Sequence, residues 1–366
     1  MKKPKKITIL TATGCKNLWD ECILQQEIAL LNEYYQDPKI DVFTYDADSN
    51  FLTKEKNYHF IQYFPSQIRK HPFRNILYAW KNLWSLISSY LIIIGGGWIF
   101  YGDTNRNQFQ KLMNQWKWRV WIARFFWKII FYWSISIEIK NPENFKYLHP
   151  LFRGKKIIIS VRDKKSQTII EDLWYTSHFL PDAVLSMHHD QWTRKNNTKQ
   201  VGLAFRWGCL INEKENIEAI IQLIRKSWYE PIFFSHSFHE KTDENDYLCM
   251  KDIADKLWVR QTNTIQESIN LYTELDYVIA IRLHASILST SNTIPFIALS
   301  YSRKTEEFSK MIQYPYWMNA QEFTIEDFKN MWTTLIKNTT DTTIQLKNAH
   351  ATYQKIIRDT LFSLLP

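Results

Sequence analysis

Short apolar runs alternate along the whole chain with stretches in which apolar residues recur at helical spacing. The runs at 7–10, 40–44, 91–94, 134–139, 156–161, 201–205, 231–235, 277–281 and 294–299 are rich in Ile, Val and Leu and read as buried strands. Between them, Ile23, Leu24, Ile28 and Leu31, then Ile217, Ile220, Ile221 and Ile224, then Phe328, Met331, Trp332 and Leu335 each mark one face of a helix. Asn212 with Glu215 and Thr264 with Glu267 have the spacing of capping boxes, and Thr324 precedes a third helix as its cap. Residues 179–184 read as a turn into a short strand. Strands that alternate with helices predict parallel sheets covered on both faces. A polar stretch at 188–199 reads as a linker between two such units.

One segment is ambiguous. Ile122, Phe125, Phe126, Ile129, Ile130 and Trp133 recur at helical spacing, with Lys117, Arg119, Arg124 and Lys128 among them. The pattern fits a core helix with a solvated basic face, the plainer reading, and also an amphipathic helix on an anionic membrane surface.

A length of 366 residues favours two domains. The net charge of +9 suits an anionic partner, but no nucleic-acid recognition motif accompanies it, so no nucleic-acid partner is expected. Cys15, Cys22, Cys209 and Cys249 form neither a CxxC pair nor a zinc spacing, which predicts free thiols and no metal site. No run approaches the roughly 18 apolar residues of a membrane span, and the apolar run after the basic start is too short for a secretion signal. A cytoplasmic protein is expected.

Chemistry concentrates at the carboxyl ends of the expected strands. Arg162, Arg206, Arg282, His236 and His284 all stand at or just after such an end, where open α/β sheets bind ligands. Arginine suits a phosphate or carboxylate through its fixed fork of donors, and histidine moves protons near neutral pH. Glycine is scarce, eight in all, yet Gly95, Gly96 and Gly97 are consecutive, with Asp103 shortly after. Such a turn approaches a ligand or another element closely, and its amides can cradle an anion. Asp20 and Glu21 stand where the first helix begins. Each of these residues also has a purely structural reading, as a salt-bridge partner, a packed histidine or a turn cap.

Taken in order, these elements resemble the bacterial polysaccharide pyruvyl transferases. The resemblance rests on Gly14-Cys15-Lys16-Asn17-Leu18-Trp19-Asp20-Glu21, Gly95-Gly96-Gly97 with Asp103, Val161-Arg162-Asp163, Pro181-Asp182, Arg282-Leu283-His284-Ala285, and Pro295 with Tyr301-Ser302-Arg303-Lys304. It implies an α/β fold of two Rossmann-like parallel-sheet domains facing a cleft, similar to the GT-B glycosyltransferase type. The domains would be an acceptor-side domain over 1–187, a linker over 188–199, a donor-side domain over 200–340 and a C-terminal helix over 341–366. The implied activity is transfer of the pyruvyl group of phosphoenolpyruvate to a sugar or lipid-linked glycan of a cell-surface polysaccharide, forming a pyruvate ketal without metal or organic cofactor. In that scheme His284 is the acid, and Asp20 or Glu21 accepts the hydroxyl proton. Arg282, Arg206, Arg162, Asn17, Gly95, Gly96, Gly97, Asp103, His236 and Lys304 hold the substrates, and an anionic membrane surface is a further partner. The chain departs from the family pattern at Lys16 and Trp19, where glycine is usual. Two other readings stand beside this one: a nucleotide-sugar glycosyltransferase of the same fold, with Glu306 or Glu307 on the donor ribose, and a non-catalytic, membrane-associated member.

Overall fold

In the computed structural model of the chain, residues 5–47, 57–66, 72–103, 105–187, 197–239 and 245–366 are described. The chain divides into two compact units, one of Met1–Cys15, Asp20–Ala183 and Lys355–Pro366, the other of Lys16–Trp19 and Val184–Gln354. The expected boundary thus falls a few residues earlier, at 183, and most of the expected linker lies outside the described residues.

The first unit is built from β1 (Lys6–Leu10), α1 (Leu18–Tyr35), β2 (Lys39–Thr44), β3 (Tyr58–Gln62), α2 (Pro72–Ser88), β4 (Leu91–Tyr101), α3 (Arg106–Phe125), β5 (Ile129–Glu138), α4 (His149–Phe152), β6 (Ile157–Val161), α5 (Lys164–Asp172) and β7 (His178–Phe179). Its seven strands form one sheet in the order β3-β2-β1-β4-β5-β6-β7, parallel throughout. Leu91, Ile92, Ile93 and Ile94 are all buried, as a strand covered on both faces requires.

The second unit holds β8 (Gln200–Ala204), α6 (Glu213–Lys226), β9 (Glu230–Phe233), α7 (Asp246–Leu257), β10 (Arg260–Gln261), α8 (Ile265–Leu271), β11 (Tyr277–Ala280), α9 (Leu283–Ser291), β12 (Phe296–Ser300), α10 (Arg303–Met311), β13 (Trp317–Asn319) and α11 (Ile325–Lys337). Its sheet runs β10-β9-β8-β11-β12-β13, again parallel. The last helix, α12 (Thr339–Leu364), is the helix expected over 341–366, and it belongs to the second unit up to Gln354 and to the first from Lys355.

Several local expectations are corrected. The helical pattern over 116–133 is two elements: α3 ends at Phe125, Trp127 takes a left-handed φ of 56°, and Ile129, Ile130 and Trp133 belong to β5. A β-strand alternating around an aromatic core produced the same spacing by accident. The run at 91–94 does not stop at the glycines, because β4 continues through them to Tyr101 in a sheet pairing whose register shifts near Trp98. Asn212 precedes α6 in a left-handed conformation and makes no side-chain cap. Thr264 caps α8 by accepting from Glu267 N, but the Glu267 carboxylate takes the amide of Asn263 instead of closing the box. Thr324 and Asp327 do form a reciprocal capping box on α11. The strand expected near Val184 is a 3-10 turn over Ala183–Ser186.

Candidate functional site

In each sheet the strand order reverses once, between β1 and β4 in the first unit and between β8 and β11 in the second. Ligands of open α/β sheets bind outside the carboxyl ends of strands at that switch point. Arg206 follows β8 and Arg282 follows β11, so the two arginines leave neighbouring strands on either side of the switch.

Arg282 is the N-cap residue of α9 and makes no side-chain cap, while its carbonyl accepts from Ala285 N at 3.0 Å. Its guanidinium donates through Nη2 to Asp246 Oδ1 in a largely buried ion pair. The other oxygen of Asp246 accepts from the amides of His236 and Ser237, both at 3.1 Å, so Asp246 fixes both the arginine and the end of the neighbouring loop. Arg282 Nε is buried and has no acceptor. A buried donor left unpaired costs about 1–3 kcal/mol, unless a bound anion takes it.

His284 is the second residue of α9, half-buried, one helical step inside the start of the helix. Trp19 lies on it: the indole and imidazole rings are stacked, 4.0 Å between centroids and 7° from parallel. Trp19 lies at the start of α1, in the Lys16–Trp19 segment of the second unit, where Leu18 N donates to His236 O at 2.9 Å and Phe238 N to Lys16 O at 2.9 Å. Asn17 sits in that pairing opposite Ser237, and its Oδ1 accepts from Trp19 N at the start of α1.

His236 is fully buried, its Nε2 3.0 Å from the Tyr272 hydroxyl. Burial first, and then the Arg282 charge, push its pKa down to about 3, so it stays neutral and serves as a packed, hydrogen-bonded residue rather than as an acid near neutral pH. Arg206 donates to the Tyr301 hydroxyl at 3.3 Å. Burial works against its charge, but Tyr301, Cys209 and Asp246 more than offset this and raise its pKa. The Cys209 thiol is held up by burial although both Arg206 and Arg282 act on it, which puts the two guanidinium groups in one electrostatic neighbourhood. Lys304 is half-buried in the first turn of α10.

In the first unit, the glycines of β4 lie against α1. A Cβ on Gly95 would meet Glu27 Oε1 at 2.6 Å, and one on Gly96 would meet Ile23 Cγ2 at 2.1 Å. A Cβ on Gly97 would stand 3.7 Å from Asp20 Oδ1. The glycines thus admit α1 to the sheet and bring Asp20 to the switch point. Glu21 turns inward: it is buried, accepts from Gly14 N at 2.9 Å, and has its pKa raised by burial despite that bond. Arg162 donates to Asp182 Oδ2 at 2.5 Å and to Ser136 Oγ at 2.8 Å, with both ion-pair partners under a tenth exposed. Asp103 accepts from the amides of Lys140 and Asn141 and from the Asn144 side chain. Its slight burial opposes ionisation, but those donors hold its pKa below the usual value.

The structure therefore gathers Arg206, Arg282, His284 and His236 with Asn17 in the second unit, and Asp20 with Gly95, Gly96 and Gly97 in the first. Arg162, Glu21 and Asp103 are each engaged by partners of their own unit. Asp246 and the Trp19 stack carry no signal in the sequence pattern. Asp246 lies 36 residues from Arg282, in a charged stretch like any other. Among the described residues no group of three or more His, Cys, Asp or Glu side chains is placed to hold a metal, and no helix is long and apolar enough to cross a membrane.

A family model described as polysaccharide pyruvyl transferase matches residues 20–303. No curated protein matches the chain. Among solved structures, the chain is similar to Anabaena HepE in complex with UDP-glucose, at 14% identity and a TM-score of 0.62, over 98% of this chain and 100% of that one. It is also similar to a UDP-N-acetylglucosamine 2-epimerase, at 10% identity and a TM-score of 0.59, over 99% and 96%. A third is S. aureus MnaA with UDP, at 12% identity and a TM-score of 0.54, over 94% and 91%. These likenesses assign the fold, a GT-B-like pair of parallel α/β sheets.

Proposed function

Since the chain belongs to the polysaccharide pyruvyl transferase family, we propose that it moves the pyruvyl group of phosphoenolpyruvate onto a sugar of a cell-surface polysaccharide or its lipid-linked precursor, on the cytoplasmic side. Arg282 carries this reading. One edge of its guanidinium is committed to Asp246, while its buried Nε has no acceptor and adjoins the uncapped start of α9. An unpaired charged donor beside the positive end of a helix suits a compact anion. Arg206 across the switch point adds a second guanidinium, fitting a donor that carries both a carboxylate and a phosphate.

In the reaction His284 gives a proton to the methylene carbon of phosphoenolpyruvate. The first sugar hydroxyl adds to the adjacent carbon and loses its proton. The C–O bond to phosphate then breaks, and the second hydroxyl adds in its place. Of the two hydroxyl protons, one replaces that given by His284 and the other leaves with phosphate. Asp20 is the carboxylate assigned to the hydroxyl proton, in preference to the inward-turned Glu21.

The test is a thermal-shift panel on the full chain with phosphoenolpyruvate, inorganic phosphate and UDP-glucose. A ligand at a hundredfold excess over its Kd stabilises the native state by about 2.7 kcal/mol. The expected result is a shift with phosphoenolpyruvate beyond that with phosphate. Arg282→Lys, which keeps the charge and removes Nε, abolishes that excess. His284→Gln retains the shift but releases no phosphate with a glycan acceptor pool. A shift with UDP-glucose alone replaces the proposal with the glycosyltransferase reading.

A further inference from the structure

Helix α2 is amphipathic the wrong way round. Asn75, Asn82 and Ser85 face inward, whereas Phe73, Ile76, Leu77, Trp80 and Trp84 face out. The inward polar groups are satisfied. Asn75 exchanges hydrogen bonds with the Ser66 backbone at 2.7 and 2.9 Å, Asn82 bridges Gln62 O and Phe64 N, and Ser85 Oγ lies 2.7 Å from Thr8 Oγ1. Orientation is therefore fixed by these bonds, and the apolar stripe is left in solvent, with Phe73 85% and Trp80 64% exposed.

Helix α3 packs on α2 and carries further exposed aromatic side chains. Trp118, Trp121 and Phe125 are exposed and touch one another edge to face or stacked, at centroid distances of 5.4 and 5.7 Å. Phe126 and Trp127 extend the patch past the helix end, Trp127 being 77% exposed. Contiguous apolar patches of this kind mark an interaction surface.

Charge selects the partner. Arg74 and Lys81 on α2 and five Lys or Arg residues on α3 face no Asp or Glu on either helix. Lys156 lies 5.7 Å from the Trp127 ring and donates to Trp127 O, which sets another cation at the patch edge. A second copy of the chain would bring this uncompensated positive charge against itself. Aromatic side chains ringed by cations match the interface of a bilayer that carries acidic headgroups.

We infer that the α2–α3 face of the first unit docks on an anionic lipid bilayer, with the indoles at headgroup depth and the basic residues on the lipid phosphates. The helices lie on the surface, since neither is a membrane span. This inference stands independently of the pyruvyl transfer assigned above, because it reads a different face and requires no turnover.

The test is flotation of the full chain with vesicles of phosphatidylcholine alone or mixed with phosphatidylglycerol. Binding to the mixed vesicles, weakened by salt and at least about tenfold weaker for Trp80→Ser/Trp84→Ser and for Trp121→Ser/Phe125→Ser, is expected from losing interfacial apolar area. Arg74→Glu/Lys81→Glu weakens it by charge alone, with the apolar stripe intact. All of these side chains are exposed, and an unchanged far-ultraviolet circular dichroism spectrum shows that the fold survives. Equal binding to both vesicle types overturns the anionic preference. No flotation at all overturns the docking surface. So does a concentration-dependent dimer in sedimentation velocity that the Trp→Ser pairs abolish, which gives the face to a second copy.

Discussion

Glu27 offers a test of how α1 is seated against the glycine strand. Its side chain is wholly buried, neither oxygen has a hydrogen-bond partner, and the carboxyl occupies the space that a Cβ on Gly95 would need. Burial, and then the charge of Asp182, raise its pKa well above the usual carboxylate value, so the folded chain holds the proton to higher pH than the unfolded chain. The unfolded chain releases it near pH 4.3, by about the ordinary glutamate value. Between these two pKa values the unfolded state binds fewer protons than the folded one, so stability falls as pH rises, at up to about 1.4 kcal/mol per pH unit for this group. Glu27→Gln keeps the shape and does not titrate. Its extra unpaired donor adds a constant offset of about 1–3 kcal/mol, which leaves the slope untouched. His236 protonates on unfolding only below about pH 6.5 and is common to both chains, so it cancels in the difference. Urea denaturation of both chains across neutral pH is the assay. For an m-value of roughly 1.5–3 kcal/mol/M, the wild-type midpoint falls relative to the variant by up to roughly 0.5–1 M per pH unit. Parallel pH profiles refute the reasoning, because they require Glu27 to hold the same charge folded and unfolded.

Other substitutions probe the rest of the framework. Gly96→Ala, at φ 54° and against Ile23, costs the left-handed strain of roughly 1–2 kcal/mol plus the collision, whereas Gly102→Ala, at φ 84° with nothing near, costs only the strain; thermal melts rank the two. Arg162→Met strands the buried Asp182 charge and destabilises the chain by about 3–5 kcal/mol, while Arg162→Met/Asp182→Leu recovers most of this in the same melts. Trp19→Leu removes the stack on His284. An aromatic pair worth about 0.5–1.5 kcal/mol corresponds to a fall in kcat of roughly twofold to tenfold, with KM for phosphoenolpyruvate unchanged and Trp19→Phe restoring the rate.

The parallel sheets were legible because their strands are buried on both faces and read as unbroken apolar runs, as at Leu91–Ile94 and Tyr277–Ala280. Short edge strands such as β10 and β13 have two or three residues and no pattern to read. The α3–β5 junction misled because Ile129, Ile130 and Trp133 continue a helical spacing that a left-handed Trp127 interrupts, and no glycine or proline marks the break. α2 escaped notice altogether. A helix whose apolar face points to solvent has the same periodicity as one whose apolar face is buried, and only the partners of Asn75 and Asn82 tell them apart.

The site divides along a similar line. Three arginines at strand ends look alike in sequence, and position alone assigns all three to an anion. Their partners separate them. Arg162 has its donors taken by Asp182 and Ser136 inside the first unit, which leaves it a structural load to bear whatever else it touches. Arg206 donates to a tyrosine hydroxyl, and the charge of Asp246 adds to what holds its guanidinium ionised. Arg282 is held by Asp246 on one side only, and the remaining Nε faces no acceptor. Arg282 thus combines a carboxylate anchor with an open buried donor, whereas Arg162 is held by two acceptors of its own unit. The same logic applies to Trp19, which stands where the family usually has glycine. Its ring covers one face of the His284 imidazole, which leaves the ring edge and the opposite face for other partners. An indole where a glycine is usual thus narrows the approach to His284 and holds its imidazole in one plane.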